Sequence, residues 1–233
     1  NFLLVRTPRA AWLADALLGL GFGTRRFAGQ DGLADAVRIT CPGDAKTFER
    51  LCDACRTALA PEAILFDVDG VLVDVSASYR AAIVETAAHF GVTVSGGDIA
   101  AAKAAGDANN DWLLTHRLVK NAGVDAPYED VQATFERLYQ GVDEPGLYAH
   151  EKALVSRDLL ERLKARGPMA LVTGRPRRDA ERFVSMFGFE GLFDTMVVME
   201  DGPAKQSPKP VQKALERLGV QRAWMVGDTP DDI

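Results

Sequence analysis

Two aspartates directly follow a short apolar segment in the first half of the chain. The segment Ala63–Phe66 has the pattern of a buried parallel strand and continues into Asp67-Val68-Asp69-Gly70. Side chains alternate along a strand, so carboxylates at i and i+2 can face one site, and the glycine permits a sharp turn beside a ligand. Paired carboxylates at this position suit a Mg²⁺ site with one nucleophilic aspartate and one that handles protons. Such a turn also ends many ordinary strands, so the rest of the chain has to decide.

Three later segments supply groups that this chemistry needs. Ala170–Val172 predicts a strand that ends in Thr173-Gly174, a hydroxyl and a flexible backbone suited to phosphoryl oxygens. Ser207-Pro208-Lys209-Pro210 offers a cation between prolines at the start of a helical pattern. Ala223–Val226 predicts a strand followed by an acidic loop, Gly227–Asp232, that could complete a magnesium site. Each fragment alone could be a turn, a surface lysine or a solvated loop, but their joint order favours a phosphoryl-transfer site.

This order of motifs resembles the haloacid dehalogenase superfamily, and within it the subfamily IA phosphatases that carry a helical cap between the first and second motifs. The resemblance covers residues 62–233. It implies an α/β fold with a three-layer, Rossmann-like core, a mostly parallel sheet and a cap inserted after the first strand. It also implies hydrolysis of a small phosphorylated metabolite through an aspartyl-phosphate, with Mg²⁺ as the cofactor.

The resemblance assigns catalytic roles to four residues. Asp67 is expected to be the nucleophile, and Asp69 is expected to protonate the leaving group and then activate water. Thr173 and Lys209 are expected to hold the phosphoryl group, and Lys209 is also expected to steady Asp67. Gly70 is a further expected contact of the phosphate.

The resemblance also implies a ligand set for the magnesium ion. Asp228 is expected to bind it, and Asp232 to coordinate it directly or through water. Asp67 and the backbone carbonyl of Asp69 complete the expected ligands.

The same set of motifs is compatible with several activities other than that of a phosphatase. Asp69 disfavours a dehalogenase, because cleavage of a carbon–halogen bond needs no acid on the leaving group whereas an alkoxide does. A phosphomutase, a phosphonate hydrolase and a non-catalytic regulatory or interaction module remain as alternatives. A phosphonate hydrolase of this type uses a cap lysine as a Schiff base, and Lys103 is the candidate, although its helical pattern favours a solvated face.

The segment between the first two motifs predicts a helical cap over residues 77–149, flanked by core segments 61–76 and 150–233. Hinges are expected near Val73–Ser76 and Asp143–Gly146. Closure of such a cap would exclude water and contribute substrate contacts. The predicted helices span 77–90, 97–105, 110–121 and 128–140.

Candidate specificity residues lie in two places. One is a polar segment that interrupts the helical pattern of the cap, and the other directly follows Thr173. Asn109 and Asn110 are candidate substrate contacts, and the alternative for Asn110 is that it caps the following helix. Trp112 is expected to pack in the interior of the cap. Gly174 and Arg175 follow Thr173 directly. Arg175 either binds a second anionic group of the substrate or is an exposed loop arginine.

Residues 1–60 predict a separate α+β unit. The strands are expected at Phe2–Val5, Thr24–Phe27 and Ala36–Thr40, and the helices at Arg9–Leu20 and Asp44–Leu59. The opening Phe-Leu-Leu-Val-Arg, the Gly21–Phe27 segment and Val37–Thr40 resemble the C-terminal part of histidinol-phosphate aminotransferases, in which the arginine matching Arg38 grips the substrate carboxylate. The large cofactor domain is missing, so a docking or appended module is favoured. The resemblance makes L-histidinol phosphate a candidate substrate of the phosphatase.

Composition limits the remaining possibilities. The net charge of −6 disfavours nucleic acid or an anionic membrane as partner, and the chain has no uninterrupted apolar run of membrane-spanning length and no signal peptide, so a cytoplasmic enzyme is expected. Cys52 and Cys55 form C-x-x-C, but they share the helical spacing of apolar neighbours, which favours buried, reduced cysteines. Both chain ends look cut, and the pattern predicts no oligomeric state.

Overall fold

The computed structural model describes residues 1–104, 110–205, 207–229 and 232. Two compact units are present, one formed by Asn1–Glu62 with Arg222–Trp224 and the other by Ala63–Gln221 with Met225–Ile233. Among the described residues, no helix combines the length and the apolar character needed to cross a bilayer.

The first unit is a small α+β structure. An antiparallel three-stranded sheet, in the order β1-β3-β2, accompanies two helices whose apolar faces share a core with Val37 and Ile39. The predicted elements of this unit are confirmed, although β2 is shorter than its pattern indicated because only Arg25 and Arg26 pair with β3. The elements are β1 (Phe2–Arg6), α1 (Ala10–Gly19), β2 (Arg25–Arg26), β3 (Ala36–Thr40) and α2 (Ala45–Leu59).

The C-x-x-C cysteines lie on α2, as their spacing predicts, and both are free thiols. They are half-buried rather than buried, because the buried stripe of α2 runs through Leu51, Ala54 and Ala58. The expectation of fully buried cysteines is therefore corrected, whereas their predicted position on a helix is confirmed.

The second unit contains a central sheet and a helical insert. The sheet has the strand order β8-β7-β4-β9, and β4, β7 and β8 pair in parallel. The elements in chain order are β4 (Ala63–Phe66), β5 (Val73–Asp74), α3 (Tyr79–His89), α4 (Gly96–Ala104), α5 (Asp111–Asn121), α6 (Tyr128–Gln140), β6 (Lys152–Ala153), α7 (Arg157–Lys164), β7 (Met169–Val172), α8 (Arg177–Met186), β8 (Thr195–Val197), α9 (Lys209–Leu218) and β9 (Ala223–Val226).

Burial explains why the central strands form where they do. All four residues of β7 are fully buried and apolar, which is typical of a parallel strand covered on both faces. Helix α9 packs against β4, β7 and β8, and it ends at Gly219, whose left-handed conformation (φ 68°) suits glycine. The predicted α/β class with a parallel sheet is confirmed.

The insert after β4 is helical throughout its described length except for short connections. Helix α3 packs against α5 and α6, and Ile83, Leu114 and Phe135 are fully buried between them. The four helices lie where their patterns place them. A short antiparallel ladder, Val73 opposite Ala153 and Asp74 opposite Lys152, joins the chain segments that enter and leave the insert.

Candidate active site

The predicted site residues gather because neighbouring parallel strands end at one edge of the sheet. Asp67 follows β4, Thr173 follows β7 and Asp228 follows β9, and β4 lies between the other two strands. Backbone hydrogen bonds fix these ends: the Asp67 amide donates to Val226, and the Thr173 amide donates to Val197. The edge at which parallel strands end is the usual position of ligand sites in such sheets.

Three carboxylates form a cluster at this edge. Asp67, Asp228 and Asp232 each place one oxygen within 4.8 Å of the others. Hard oxygen donors in this arrangement suit Mg²⁺. Burial and the nearby Asp232 raise the pKa of Asp228, which is the response expected of clustered acids without a bound cation.

Gly70 gives Asp228 the space that it occupies. Its φ is +76°, and a Cβ built on it would lie 2.0 Å from Asp228 Oδ2. Only glycine therefore fits both the backbone conformation and the approach of the carboxylate. The donor set and this close approach fit a divalent cation held by Asp67, Asp228 and Asp232.

Lys205 neutralises part of this acidic cluster. Its Nζ lies 2.5 Å from Asp67 Oδ1 and 2.7 Å from Asp232 Oδ1, with only 8% of its side chain exposed. Burial raises the pKa of Asp67 to about 7, against the opposing effect of Lys205 and with a further contribution from Asp69. Burial lowers the pKa of Lys205, but the two aspartates outweigh it and the lysine stays charged.

The structure corrects the prediction that Lys209 is the lysine beside Asp67. Lys209 is the first residue of α9 and its side chain is exposed, whereas Lys205, in the loop that precedes α9, contacts Asp67. A proline on either side marks where the helix starts, and Lys209 lies on the exposed face of its first turn whereas Pro210 is buried. The signal in the sequence for Lys205 is its position between β8 and α9, whereas the flanking prolines favour Lys209.

Asp69 faces a buried arginine. Arg175 donates from Nε to Asp69 Oδ1 at 2.8 Å, and its Nη2 lies 2.6 Å from the same oxygen. Arg175 is only 2% exposed, which excludes the alternative of an exposed loop arginine. Its guanidinium lines the cavity described below but is engaged by carboxylates, so the structure does not leave it free as an anion-binding group.

Glu151 is a buried residue of this site that the sequence analysis missed. Both of its carboxylate oxygens accept hydrogen bonds from Arg175, at 3.2 and 3.0 Å. The hydroxyls of Tyr139 and Ser78 donate to Glu151 Oε1 at 3.0 and 3.1 Å. A single glutamate after the helical insert carries no sequence signal for this role.

A cavity of about 420 Å³ lies between the strand ends and the helical insert. Asp67, Asp69, Gly70 and Gly174 line it on the core side, and Lys103, Asp111 and Trp112 are among the lining residues from the insert. Thr173 lies instead on a smaller adjoining cavity of about 170 Å³, together with Gly174, Asn110 and Lys205. The predicted phosphate-binding and cap residues therefore border two adjoining spaces.

The predictions for the cap residues have mixed outcomes. Asn110 caps α5, because its Oδ1 accepts from the amides of Trp112 and Leu113, and Trp112 packs partly buried against the core of the insert. Lys103 does not lie on a solvated face: it lines the cavity and pairs with Asp111 at 3.3 Å. Asn109 lies outside the described residues.

Comparison with known proteins identifies the family. Residues 61–233 match the family model described as haloacid dehalogenase-like hydrolase, so this chain belongs to that hydrolase family. This confirms the resemblance inferred from the order of motifs. The match does not extend to residues 1–60, whose resemblance to an aminotransferase stays a prediction.

Individual relatives include proteins named as phosphatases and one named as a dehydratase. A Phytophthora nicotianae protein named imidazoleglycerol-phosphate dehydratase is 51% identical over 181 residues, which cover 74% of this chain and only 40% of that protein. The phosphoglycolate phosphatase of Aquifex aeolicus is 29% identical over 73% of this chain and 77% of its own length. A Lactobacillus plantarum structure, described as a candidate phosphoglycolate phosphatase, shares the fold with a TM-score of 0.60 at 21% identity, covering 75% of this chain and 80% of the other.

Proposed function

We propose that this chain hydrolyses small-molecule phosphomonoesters through an aspartyl-phosphate formed on Asp67. The observation that carries the proposal is the buried pair of Asp67 and Lys205, which lies beside Asp228 and Asp232 on the floor of a cavity. A carboxylate nucleophile beside a lysine and an acidic metal cluster suits phosphoryl transfer, which depends mainly on positioning and on neutralising negative charge.

In the proposed reaction, a carboxylate oxygen of Asp67 attacks phosphorus and the bond to the leaving oxygen breaks. Asp69 gives its proton to the leaving alkoxide. Water then attacks the phosphorus of the aspartyl-phosphate, Asp69 takes a proton from that water, and the bond to Asp67 breaks to release inorganic phosphate. Lys205 offsets the charge on the transferring phosphoryl oxygens, and Thr173 and Gly174 contribute a hydroxyl and backbone donors nearby.

Asp67, Asp228 and Asp232 would hold the Mg²⁺, together with the backbone carbonyl of Asp69. When bound, the ion supplies positive charge that stabilises the transferring phosphoryl group. The donor set of carboxylate oxygens supports magnesium over a softer metal.

We also assign the helical insert, residues 77–149, as a cap over the core formed by 61–76 and 150–233, with residues 1–60 as an appended unit. Helices α3 to α6 lie within the insert, and residues from α4 and α5 line the cavity. This arrangement supports substrate selection by the cap, since loops and inserts above a rigid sheet carry specificity.

Release of phosphate from a panel of phosphomonoesters, with and without Mg²⁺, tests the reaction. The panel contains phosphoglycolate, sugar phosphates and L-histidinol phosphate, with Asp67→Asn as the inactive comparison. Activity that requires Mg²⁺ and falls by more than about 10³-fold in Asp67→Asn is expected, because the amide of asparagine cannot replace the carboxylate as nucleophile. Phosphate release that survives in Asp67→Asn excludes this mechanism, and transfer to a sugar hydroxyl without phosphate release identifies a phosphomutase.

We propose L-histidinol phosphate as the preferred substrate. Two observations support it: the aminotransferase-like sequence of residues 1–60, and the relative named for imidazoleglycerol phosphate, another phosphomonoester that carries an imidazole. The cavity wall offers a chemical match, because Asp111 already pairs with the ammonium of Lys103 and the aromatic Trp112 lies next to it. A carboxylate and an indole together suit a cationic substrate group.

The kcat/KM of L-histidinol phosphate relative to phosphoglycolate tests this preference. A ratio above about ten is expected for the wild type, and Asp111→Asn should reduce the ratio about tenfold, which is the size of one charge-assisted hydrogen bond. The matched control is Asp130→Asn, the same exchange at an exposed position in the first turn of α6. Equal kcat/KM values for both substrates would exclude L-histidinol phosphate as the preferred substrate. The proposed phosphatase activity would not be affected by that result.

A further inference from the structure

We propose that Arg175 and Glu151 are positioning residues that hold the carboxylate of Asp69 for proton transfer, and that Tyr139 couples this arrangement to the helical insert. The inference rests on the phosphatase activity proposed above. It goes beyond that activity by giving a function to buried side chains that carry out no step of the reaction themselves.

Arg175 fixes one oxygen of Asp69. Two of its nitrogens lie at 2.8 and 2.6 Å from Oδ1 of Asp69. The guanidinium is held in turn by aromatic rings, with its central carbon 5.0 Å from the ring centre of Tyr79 and 5.7 Å from that of Phe183. With Oδ1 held in this way, Oδ2 is the oxygen from which Asp69 transfers a proton.

Glu151 holds Arg175 along the neighbouring edge of the guanidinium, and Nη2 contacts both carboxylates. Two nitrogens of the guanidinium bind the two carboxylate oxygens of Glu151, the forked geometry that gives an arginine–carboxylate pair its directional preference. Both side chains of this pair are 1% exposed, so solvent cannot replace either partner. Loss of the charge on Glu151 therefore removes one of the two carboxylates that orient the guanidinium, so Arg175 shifts and changes where Asp69 points.

Tyr139 and Ser78 connect this pair to the insert. Tyr139 lies on α6, Ser78 directly precedes α3, and their hydroxyls donate to the same oxygen of Glu151 at 3.0 and 3.1 Å. The ring of Tyr139 stacks on Tyr79, with 4.2 Å between ring centres, and Tyr79 also carries the guanidinium on its face. The position of α6 is thereby coupled to the orientation of the proton donor.

The leaving group of the substrate separates this role from general support of the fold. An alkyl ester leaves as an alkoxide and needs the proton of Asp69, whereas p-nitrophenolate is stable enough to leave without it. The value of kcat/KM reports the steps up to the attack of Asp67, so later hydrolysis of the aspartyl-phosphate does not mask the effect. A misplaced Asp69 therefore lowers kcat/KM for the alkyl ester much more than for the aryl ester.

The experiment compares kcat/KM for an alkyl phosphate and for p-nitrophenyl phosphate in the wild type and in four variants of the full chain. Glu151→Gln is expected to lower the alkyl value at least about tenfold and the aryl value by less than about threefold, the pattern that Asp69→Asn should show in stronger form. Tyr139→Phe, which removes one hydroxyl, is expected to lower the alkyl value about threefold to tenfold. Glu136→Gln is the matched control, since Glu136 also lies on α6 but pairs with Arg178, at 2.8 Å, instead of Arg175.

The outcomes separate failure of this positioning role from failure of the phosphatase activity on which it rests. Equal losses for both esters in Glu151→Gln, or no loss for either, overturn the positioning role and leave the phosphatase standing. If Glu151→Gln does not fold, Tyr139→Phe decides by the same ratio of alkyl to aryl losses. Wild-type protein that hydrolyses neither ester in Mg²⁺ overturns the phosphatase activity and this proposal with it.

Discussion

The ammonium of Lys205 lies 2.5 Å from Oδ1 of Asp67, and both side chains are almost completely buried. This pair places one positive charge at the point where a carboxylate would attack an anionic phosphoryl group. Burial disfavours the ionised form of Asp67 and Lys205 favours it, so the lysine contributes directly to the reactivity of the aspartate. Substitutions of Lys205 and of Lys209, the first residue of α9, test which lysine has this role.

Lys205→Met is expected to lower kcat/KM for phosphomonoesters about 10²- to 10³-fold, because it removes charge stabilisation at the reacting phosphoryl group. Lys209→Met is the matched control and should stay within about threefold of the wild type, as is usual for an exposed substitution. Steady-state phosphate release measures both, with circular dichroism to check the fold of each variant. Comparable losses in the two variants would contradict the assignment of Lys205.

Gly70→Ala is expected to reduce kcat about 10²-fold, because the new Cβ would lie 2.0 Å from Asp228 Oδ2 and displace that carboxylate from the cluster. Gly91→Ala provides the control for backbone strain alone, since Gly91 has the same φ of +76° but no atom within 4 Å of its would-be Cβ. That variant should lose about 1–2 kcal/mol of stability and keep its kcat. The kcat values and the thermal unfolding of the two variants separate the contact from the strain, and similar kcat losses in both would show that strain alone is responsible.

Binding of Mg²⁺ is expected to weaken as the pH falls below about 7. Burial raises the pKa of Asp67 to about 7 in the metal-free chain, so below this pH a proton competes with the cation for the same carboxylate. Above it Asp67 is ionised and affinity should level off. The increase in Tm at a fixed Mg²⁺ concentration should therefore be larger at pH 8 than at pH 6.

Asp228→Asn is the comparison for this metal effect, because it removes one of the three clustered carboxylates. It should lose most of the Mg²⁺-dependent rise in Tm at every pH. Stabilisation by Mg²⁺ that is independent of pH, or greater at pH 6, would argue against Asp67 as a ligand.

Lys103 is expected to form no Schiff base with an aldehyde phosphonate. Burial lowers its pKa, but Asp111 and Asp69 outweigh this effect, so the net pKa lies above the usual value and the amine is protonated at neutral pH. A protonated amine is not a nucleophile. Borohydride treatment in the presence of the aldehyde, followed by mass spectrometry, should give no adduct at this residue. A borohydride-dependent adduct that disappears in Lys103→Met would revive the phosphonate hydrolase.

Much of the fold could be predicted because its signals are local. The buried strands β4 and β7 are apolar runs, and the helices of the insert follow their apolar periodicity, so each was identified from a short stretch of sequence. The cluster of Asp67, Asp228 and Asp232 could also be anticipated. Each of these residues follows a strand of one parallel sheet, and the ends of such strands meet at one edge.

The pairs that complete the candidate site were decided only by the tertiary structure. Lys205 rather than Lys209 reaches Asp67, and Arg175 joins Asp69 to Glu151, because packing brings distant segments to within a few ångströms of one another. No spacing in the sequence records such an approach. The sequence by itself determined the strands, the helices and the edge where the carboxylates meet, since these follow from local patterns of hydrophobicity. The folded chain alone decided which charges are paired, since the cost of burying an unpaired charge is settled only when all neighbouring segments are in place.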